Sequence, residues 1–365
     1  MFFVNCETNK PLKTIIKEGI TTTVFQQGND GYQCYRIPAI IKCKNNDLLA
    51  FAEARKNGCS DTGDIDLVMK RSKDNGKTWG SLVMIWDDSL NVCGNPAPVL
   101  DEKTGNLHLL LTWNLGDDHE SEIIAQTSID TRRVFVLISK DHGNNWSTPR
   151  EITTTTKNPS WSWYATGPGS GVQINKGEYA GRMTIACDHI EAESKKYYSH
   201  IIYSDDAGEN WHLGGTTPKD QVNECEVAEL SDGSLLLNMR NYDRDQKFRQ
   251  TAVSNDGGLT WSDQKHDIGL IEPICQASMQ SLQVEGEYIL AFSNPASQDS
   301  RSKMTIRLSV DDGVSWNSSL QMSANPAAYS DLVQIKNREL GCLYETGESS
   351  PYEQIVFSSL SIQSH

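Results

Sequence analysis

The chain has 365 residues, of which 37% are hydrophobic and 22% charged, and its formal net charge at pH 7 is −15. This length can bury a sizeable core, and the composition is typical of a globular protein. The acidic charge argues against nucleic acid as a partner, which selects basic surfaces, although clustered arginines can still attract a small anion locally.

The N-terminus and the cysteines limit location and redox chemistry. No apolar run approaches the roughly 18–20 residues that span a bilayer, so no membrane span is predicted. MFFVNCETNKPLK lacks the features of a secretory signal peptide, which at face value predicts a cytoplasmic protein, with a secreted or cell-surface location as the alternative. Nine cysteines show neither CxxC nor regular spacing, so neither a zinc site nor a disulfide framework is indicated. Most are expected to be buried thiols or structural residues.

An octet of the form S-x-D-x-G-x-x-W recurs five times along the chain. The copies begin at Ser72, Ser139, Ser204, Ser254 and Ser309, at intervals of 67, 65, 50 and 55 residues. Repeats at such intervals are typical of solenoids, propellers or arrays. The preceding segments, such as IDLVMKRS and RVFVLIS, are apolar and β-favouring. Each octet is therefore predicted to be a hairpin turn, with Asp accepting backbone hydrogen bonds and Gly supplying a positive φ.

The octet interval also predicts the fold. Dividing 365 residues by the mean interval gives about six units. The prediction is an all-β fold, a six-bladed β-propeller of four-stranded antiparallel blades, in which closure leaves few sheet edges exposed. Residues 1–20 are predicted to be an N-terminal arm and residues 21–365 a single propeller domain. The octets resemble the Asp boxes of the sialidase family, which indicate architecture but not activity.

Further segments carry candidates for chemistry, and they resemble, in order and spacing, the motifs of bacterial-type sialidases. The resemblance extends from the first candidate to the last. The candidates are Arg36 in YRIPAII, Arg55 and Asp61 in EARKNGCSDTG, Glu224 and Arg240 in NECEVAELSDGSLLLNMRN, Arg301 in SQDSRSKM, Tyr329 in AAYSDL and Glu345 in CLYETG.

The resemblance implies an exo-α-sialidase, which removes terminal sialic acids from glycoconjugates with retention of configuration. Sialic acid carries a carboxylate on its anomeric carbon, and arginine is suited to bind such a group through paired hydrogen bonds. A carboxylate nucleophile would be repelled by that charge, whereas a neutral tyrosine would not, and sialidases are the tyrosine-nucleophile exception among glycosidases. The expected partners are therefore sialylated glycans, and the chain is expected to be a monomer.

Five of the candidates are implied to bind the substrate. Arg36, Arg240 and Arg301 would hold the carboxylate, and Arg55 would line the pocket near the sugar hydroxyls. Glu345 would orient the first of these arginines.

The other three are implied to be catalytic. Asp61 would protonate the leaving oxygen, and Tyr329 would attack the anomeric carbon with Glu224 as its base. Each assignment has neighbouring rivals, which are Asp64 and Asp66 for the acid, Glu226 and Glu229 for the base, Arg307 for the third arginine and Tyr344 for the nucleophile.

Two questions stay open at this level. Trp161, Trp163 and Tyr164 can stack on a sugar, although packing within a blade is the favoured interpretation. A trans-sialidase or an intramolecular trans-sialidase would share all these residues. A non-catalytic glycan-binding propeller would have lost at least one catalytic side chain, and none is missing.

No histidine pattern for a metal and no Rossmann or P-loop motif is present, so no cofactor or metal is expected.

Overall fold

The computed structural model describes residues 14–364, of which about half lie in β-strands and very few in helices. Its two helices are one turn or little more, α1 (Glu120–Ala125) and α2 (Thr153–Thr156). Neither helix has the length or apolar character of a membrane-crossing segment. The all-β prediction is confirmed.

The described residues form twenty-five strands. The first eleven are β1 (Thr14–Gln26), β2 (Cys34–Lys42), β3 (Leu48–Arg55), β4 (Ile65–Ser72), β5 (Val83–Trp86), β6 (Val92–Leu100), β7 (Leu107–Asn114), β8 (Arg133–Ser139), β9 (Arg150–Glu151), β10 (Trp161–Thr166) and β11 (Val172–Gln173). The others are β12 (Met183–Glu191), β13 (Tyr197–Ser204), β14 (His212–Thr216), β15 (Val222–Glu229), β16 (Leu235–Asn241), β17 (Phe248–Ser254), β18 (Lys265–Ile271), β19 (Ser278–Val284), β20 (Glu287–Pro295), β21 (Met304–Ser309), β22 (Ser318–Gln321), β23 (Ala327–Lys336), β24 (Glu339–Thr346) and β25 (Gln354–Ser364).

The strands form five sheets, mostly between sequence neighbours. Three of them are β10-β12-β13-β14 with β11 paired to β12, β15-β16-β17-β18, and β19-β20-β21-β22. The largest has the order β2-β3-β4-β6-β7-β8-β9, with β5 paired to β4. Only one parallel residue pair, Ile65 with Val92, joins β4 to β6.

The fifth sheet contains both ends of the described chain, in the order β1-β25-β24-β23. β1 pairs with β25 in antiparallel fashion from Thr14 to Gln26. Residues 14–18 of the predicted N-terminal arm pair with the last strand of the chain, and residues 1–13 of that arm lie outside the described residues.

The strands fall into groups of four antiparallel partners, which are β2–β5, β6–β9, β10 with β12–β14, β15–β18, β19–β22, and β23–β25 with β1. The five octets adopt the predicted turn, each between the third and fourth strands of one of the first five groups. In the first, the Ser72 hydroxyl donates to Asp74 and accepts from the amide of Gly76 at 2.8 Å, while Asp74 accepts from the amide and hydroxyl of Thr78. The octet glycines have φ between 79° and 88°, so the prediction of a positive φ is confirmed. Each octet tryptophan packs on a different hydrophobic cluster.

Strand direction separates the octets from the candidate site residues. Within each group the pairs are antiparallel, so the first strand begins at the edge where the second ends and the third begins. Octets follow the third strands and lie at the opposite edge. This agrees with the expectation that they do no chemistry.

One cysteine pair differs from the sequence-based expectation. Cys34, at the start of β2, and Cys59, after β3, form a disulfide, which their spacing did not indicate. They meet because β2 and β3 are antiparallel partners, a relation that sequence spacing alone does not reveal. The other cysteines of the described residues are buried thiols, as predicted.

Candidate active site

The candidate site is a cleft of about 190 Å³ at the edge where the first strands begin and the second strands end. Seven of the eight residues predicted from the sequence line it, and the eighth, Glu345, lies behind the cleft against an arginine. The seven are Arg36, Arg55, Asp61, Glu224, Arg240, Arg301 and Tyr329. A larger depression of about 580 Å³ at the opposite edge contains none of them.

Arg36 and Glu345 form a buried ion pair at the floor. Nε and Nη2 of Arg36 donate to the two carboxylate oxygens at 3.0 and 3.3 Å. The same carboxylate accepts from the amides of Ile37 at 2.9 Å and Tyr329 at 3.1 Å. Burial alone would lower the pKa of Arg36, but the Glu345 charge holds it above its ordinary value. The guanidinium therefore stays charged and fixed in orientation.

Tyr329 and Glu224 are hydrogen-bonded in the centre of the cleft. The tyrosine hydroxyl donates to one carboxylate oxygen of Glu224, and Nη1 of Arg240 donates to the other at 2.5 Å. Burial and the charge of Glu224 raise the pKa of Tyr329, although the guanidiniums of Arg240, Arg301 and Arg36 oppose this. At rest the tyrosine is neutral, and a carboxylate is in place to accept its proton.

Arg301 reaches the cleft from the loop between β20 and β21. Its Nη1 donates to the hydroxyl of Tyr352 at 2.9 Å and its Nη2 to the carbonyl of Ile274 at 3.2 Å. Unlike the other two arginines of the predicted trio, it has no carboxylate partner within 4.0 Å among residues 14–364. Its charge is therefore free to bind an anion.

Asp61 lies in the loop between β3 and β4, with its side chain 65% exposed. Its Oδ1 is 2.7 Å from Nη2 of Arg55 and 3.6 Å from Nη1 of Arg36. Arg55 is itself held by Glu53, whose Oε2 accepts from Nε at 3.0 Å. Partial loss of solvent in the cleft raises the pKa of Asp61, but the two guanidiniums outweigh this effect, so the pKa lies below its ordinary value.

The rival carboxylates lie outside the cleft. Asp66 is fully buried and accepts a hydrogen bond from the Tyr32 hydroxyl at 2.6 Å, and Asp64 precedes β4 away from the cleft lining. Glu226 accepts from a serine hydroxyl and a backbone amide of β19. Glu229 accepts from backbone amides after β11 at the opposite edge. The geometry therefore favours the originally preferred candidates.

The rival arginine and tyrosine also lie elsewhere. Arg307 donates to an asparagine of β20 at 3.1 Å, and Tyr344 packs in a hydrophobic cluster. Of the three aromatic residues near position 163, Trp161 and Tyr164 pack in a core cluster, as favoured from the sequence. Trp163 differs, because its side chain lines the cleft.

Sequence reasoning missed several cleft residues. Arg132 is buried, donates to the Asn95 side chain at 2.5 Å and lies 4.2 Å from the ring centre of Trp163. Asn95 has φ +54°, which is uncommon for a residue other than glycine and clusters at functional sites. Glu120 and Asp188 complete this side. Arg132 directly precedes β8, a third strand, so strand direction is the signal that could have located it.

The side of the cleft that contains Arg132 and Asp188 differs electrostatically from the side that contains the three predicted carboxylate-binding arginines. Burial raises the pKa of Asp188, and the nearby charge of Glu224 adds to this effect, so the protonated form of Asp188 is favoured. Burial lowers the pKa of Arg132, which lacks an ion-pair partner within 4.0 Å among the described residues. This side therefore combines a buried guanidinium without an ion-pair partner and a carboxyl group whose protonated form is favoured. In residues 14–364, no three His, Cys, Asp or Glu side chains are grouped to hold a metal ion.

Comparison with known proteins gives a consistent match. Residues 46–343 match the family model described as a BNR repeat-like domain. A sialidase from Bacteroides fragilis is 30% identical over 344 residues, covering 88% of this chain and 62% of that protein. A sialidase from Micromonospora viridifaciens is 31% identical over 337 residues, covering 89% and 52%. The solved structure of the Hadza microbial sialidase Hz136 superposes with a TM-score of 0.84 at 31% identity, covering 93% of this chain and 68% of that one.

These matches extend along nearly the whole chain, while the chain spans only 62% and 52% of the two sequence relatives. They agree with the β-propeller type of fold that the repeated octets predict. By the family model and by its similarity to these proteins, the chain belongs to the sialidase family.

Proposed function

We propose that this chain is an exo-α-sialidase that hydrolyses terminal sialic acids from glycans with retention of configuration, using Tyr329 as the nucleophile. The observation that carries the proposal is the hydrogen bond from the Tyr329 hydroxyl to Glu224 in a cleft whose lining includes Arg36, Arg240 and Arg301. An ordinary glycosidase places two carboxylates around the scissile bond. Here the group at the centre is a neutral phenol, which an anionic sugar does not repel.

Carboxylate binding is the first step. Arg36 and Arg240 are each oriented by an acid, Glu345 and Glu224, whereas Arg301 is held by neutral groups. Arg301 has no carboxylate partner among the described residues, so it leaves an uncompensated positive charge in the cleft despite the net charge of −15. The substrate carboxylate would bind them through charge-assisted hydrogen bonds.

Nucleophilic attack follows from the arrangement around Tyr329. Its pKa is raised, so an isolated phenolate would not form, but Glu224 can accept the proton as the oxygen–carbon bond forms. The adjacent Arg240 would stabilise the negative charge that Glu224 shares with the tyrosine. Hydrolysis of the resulting glycosyl-tyrosine would then restore the original configuration.

Proton donation is assigned to Asp61. In the empty cleft, Arg55 and Arg36 hold the pKa of Asp61 low. A bound substrate carboxylate would offset the Arg36 charge, and the sugar would exclude water from Asp61. Both changes raise the pKa of Asp61, so substrate binding favours the protonated form that donates to the leaving oxygen.

For the architecture we propose six four-stranded blades in a single domain. The largest sheet divides at the single Ile65–Val92 pair into β2–β5 and β6–β9, which with the other four sheets makes six groups. Six hydrophobic clusters each join consecutive groups, and one of them joins the chain-end sheet to β2–β4. This cyclic order supports a closed ring.

Product analysis with sialyllactose tests the proposed activity. Wild type should release free sialic acid, with the α-anomer formed first by NMR, and Tyr329→Phe should lose at least about 10²-fold in kcat/KM. The matched control is Tyr344→Phe, a buried tyrosine outside the cleft, which should retain activity.

Two results would contradict the proposal. The first is absence of turnover by wild type, which would favour a glycan-binding role. The second is comparable activity of Tyr329→Phe, which would exclude the tyrosine nucleophile. Appearance of an anhydro sugar or a transferred sialic acid instead of free sialic acid would replace hydrolysis by intramolecular or intermolecular transfer.

A further inference from the structure

We propose that the disulfide between Cys34 and Cys59 positions the acid Asp61 and thereby controls the departure of poor leaving groups; this inference rests on the proton-donor role proposed for Asp61. Cys34 begins β2, two residues before Arg36, and Cys59 lies two residues before Asp61. The bond therefore ties the loop carrying the acid to the strand that carries a carboxylate-binding arginine.

Little else fixes the centre of this loop, residues 56–64. Ser60 and Asp61 are exposed, so packing contributes little there. Near the end of the loop, the amide of Gly63 donates to the carbonyl of Gly116 at 3.0 Å. The stretch between β3 and Gly63 thus depends on specific contacts for its position.

Arg55 supplies a second such contact, and Arg36 adds a weaker one at 3.6 Å from Asp61. Nη1 of Arg55 donates to the Cys59 carbonyl at 2.7 Å, and its Nη2 lies 2.7 Å from Oδ1 of Asp61. Arg55 also pairs with Cys34 in the β2–β3 register. The guanidinium and the disulfide therefore hold the segment from Cys59 to Asp61 together.

The two contacts do not persist equally through the reaction. To donate a proton, Asp61 must be neutral, and a neutral carboxyl loses most of its attraction to Arg55. The ionic contact therefore weakens at the moment when the acid has to be in place. The covalent bond from Cys59 to Cys34 is unaffected by that protonation. Together with the hydrogen bond from Arg55 to the Cys59 carbonyl, which protonation of Asp61 also leaves intact, it then holds the backbone that carries the acid.

The consequence depends on the leaving group. A general acid must lie within hydrogen-bond reach of the oxygen that it protonates, and a displacement of about 1 Å can cost about 10²-fold. The sugar alcohol of sialyllactose needs this proton to leave. An aryl alcohol leaves as a stabilised phenolate and needs it much less. Loss of the disulfide should therefore slow the cleavage of sialyllactose more than the cleavage of an aryl sialoside.

The experiment compares kcat/KM for sialyllactose and for 4-methylumbelliferyl sialoside. The proteins are oxidised wild type, the same protein treated with dithiothreitol, and the double variant Cys34→Ala/Cys59→Ala. Dithiothreitol passes two electrons and two protons to the disulfide, giving two thiols and its own cyclic disulfide. Thiol titration in denaturant should find two fewer thiols before this treatment. The control is Cys43→Ala, a buried thiol just beyond the other end of β2.

We expect reduction, and the double variant, to lower kcat/KM for sialyllactose at least about tenfold and for the aryl sialoside by less than about threefold. Cys43→Ala should leave the ratio of the two values unchanged. An equal fold loss in kcat/KM for both substrates would indicate a purely structural bond and overturn the inference. So would no loss for either substrate, or equal thiol counts before and after dithiothreitol. Inactivity of oxidised wild type on both substrates would instead contradict the proposed sialidase activity.

Discussion

Replacing Arg301 by alanine should remove most substrate binding but lower the free energy of unfolding only slightly. Arg36→Ala should weaken substrate binding and also lower the free energy of unfolding substantially. A bidentate arginine–carboxylate contact has two charge-assisted hydrogen bonds of about 1.5–3 kcal/mol each, so either loss is about 3–6 kcal/mol. At about 1.4 kcal/mol per factor of ten, kcat/KM should fall about 10²- to 10⁴-fold in both variants.

The folding costs differ because the partners differ. Arg301 loses two hydrogen bonds to neutral groups, worth about 1–3 kcal/mol together. Arg36→Ala leaves the Glu345 carboxylate buried without its cation, and breaking a buried pair costs about 3–5 kcal/mol. Urea unfolding measures the free energies, and initial rates on a fluorogenic sialoside give kcat/KM. An Arg301→Ala protein within tenfold of wild type, or equal stability of the two variants, would refute this reasoning.

Three further results are expected from other parts of the molecule. Asp61→Asn should lower kcat/KM about 10²- to 10⁴-fold on sialyllactose and much less on an aryl sialoside, measured side by side; equal losses would argue against an acid role. Gly76→Ala should lower the unfolding free energy more than Gly28→Ala. Both glycines have φ +83°, but only at Gly76 would a Cβ lie 2.0 Å from a phenylalanine ring. The kcat of both variants should be unchanged, and equal unfolding free energies of the two variants would contradict this. Burial raises the pKa of Asp331 to about 6, and burial with the Asp331 charge raises that of Glu226. The contribution of the protonated Asp331–Glu226 pair to stability is therefore full below about pH 4 and is lost as pH rises through 6. Glu226→Gln should reduce the fall in the urea midpoint between pH 5 and 8, and an unchanged fall would count against the role of this pair.

The sequence predicts the strand content and the octet turns because their chemistry is local. A serine, an aspartate and a glycine within five residues make the turn by themselves, as the bonds among Ser72, Asp74 and Gly76 illustrate. Motif residues such as Arg36 could also be assigned from the sequence, because their short motifs resemble those of a known family. The structure brings these residues to one cleft although they come from different groups of strands.

The remainder of the cleft depends on contacts between groups of strands. Arg132 contacts Asn95, Thr112 and Asn114, none of which is close to it in the chain. Its local sequence, TRRVF, resembles an ordinary strand start. The disulfide was missed for a similar reason, because its two cysteines are brought together by the antiparallel pairing of β2 and β3.

Trapping of the covalent intermediate tests the central claim most directly. Wild type is incubated with a 2,3-difluorosialic acid, in which fluorine slows release of the glycosyl-enzyme, and is then digested for peptide mass spectrometry. The proposed mechanism predicts one sialyl adduct per chain, located on Tyr329 and absent from Tyr329→Phe. An adduct on an aspartate or glutamate, or an active enzyme that forms no adduct, would contradict it.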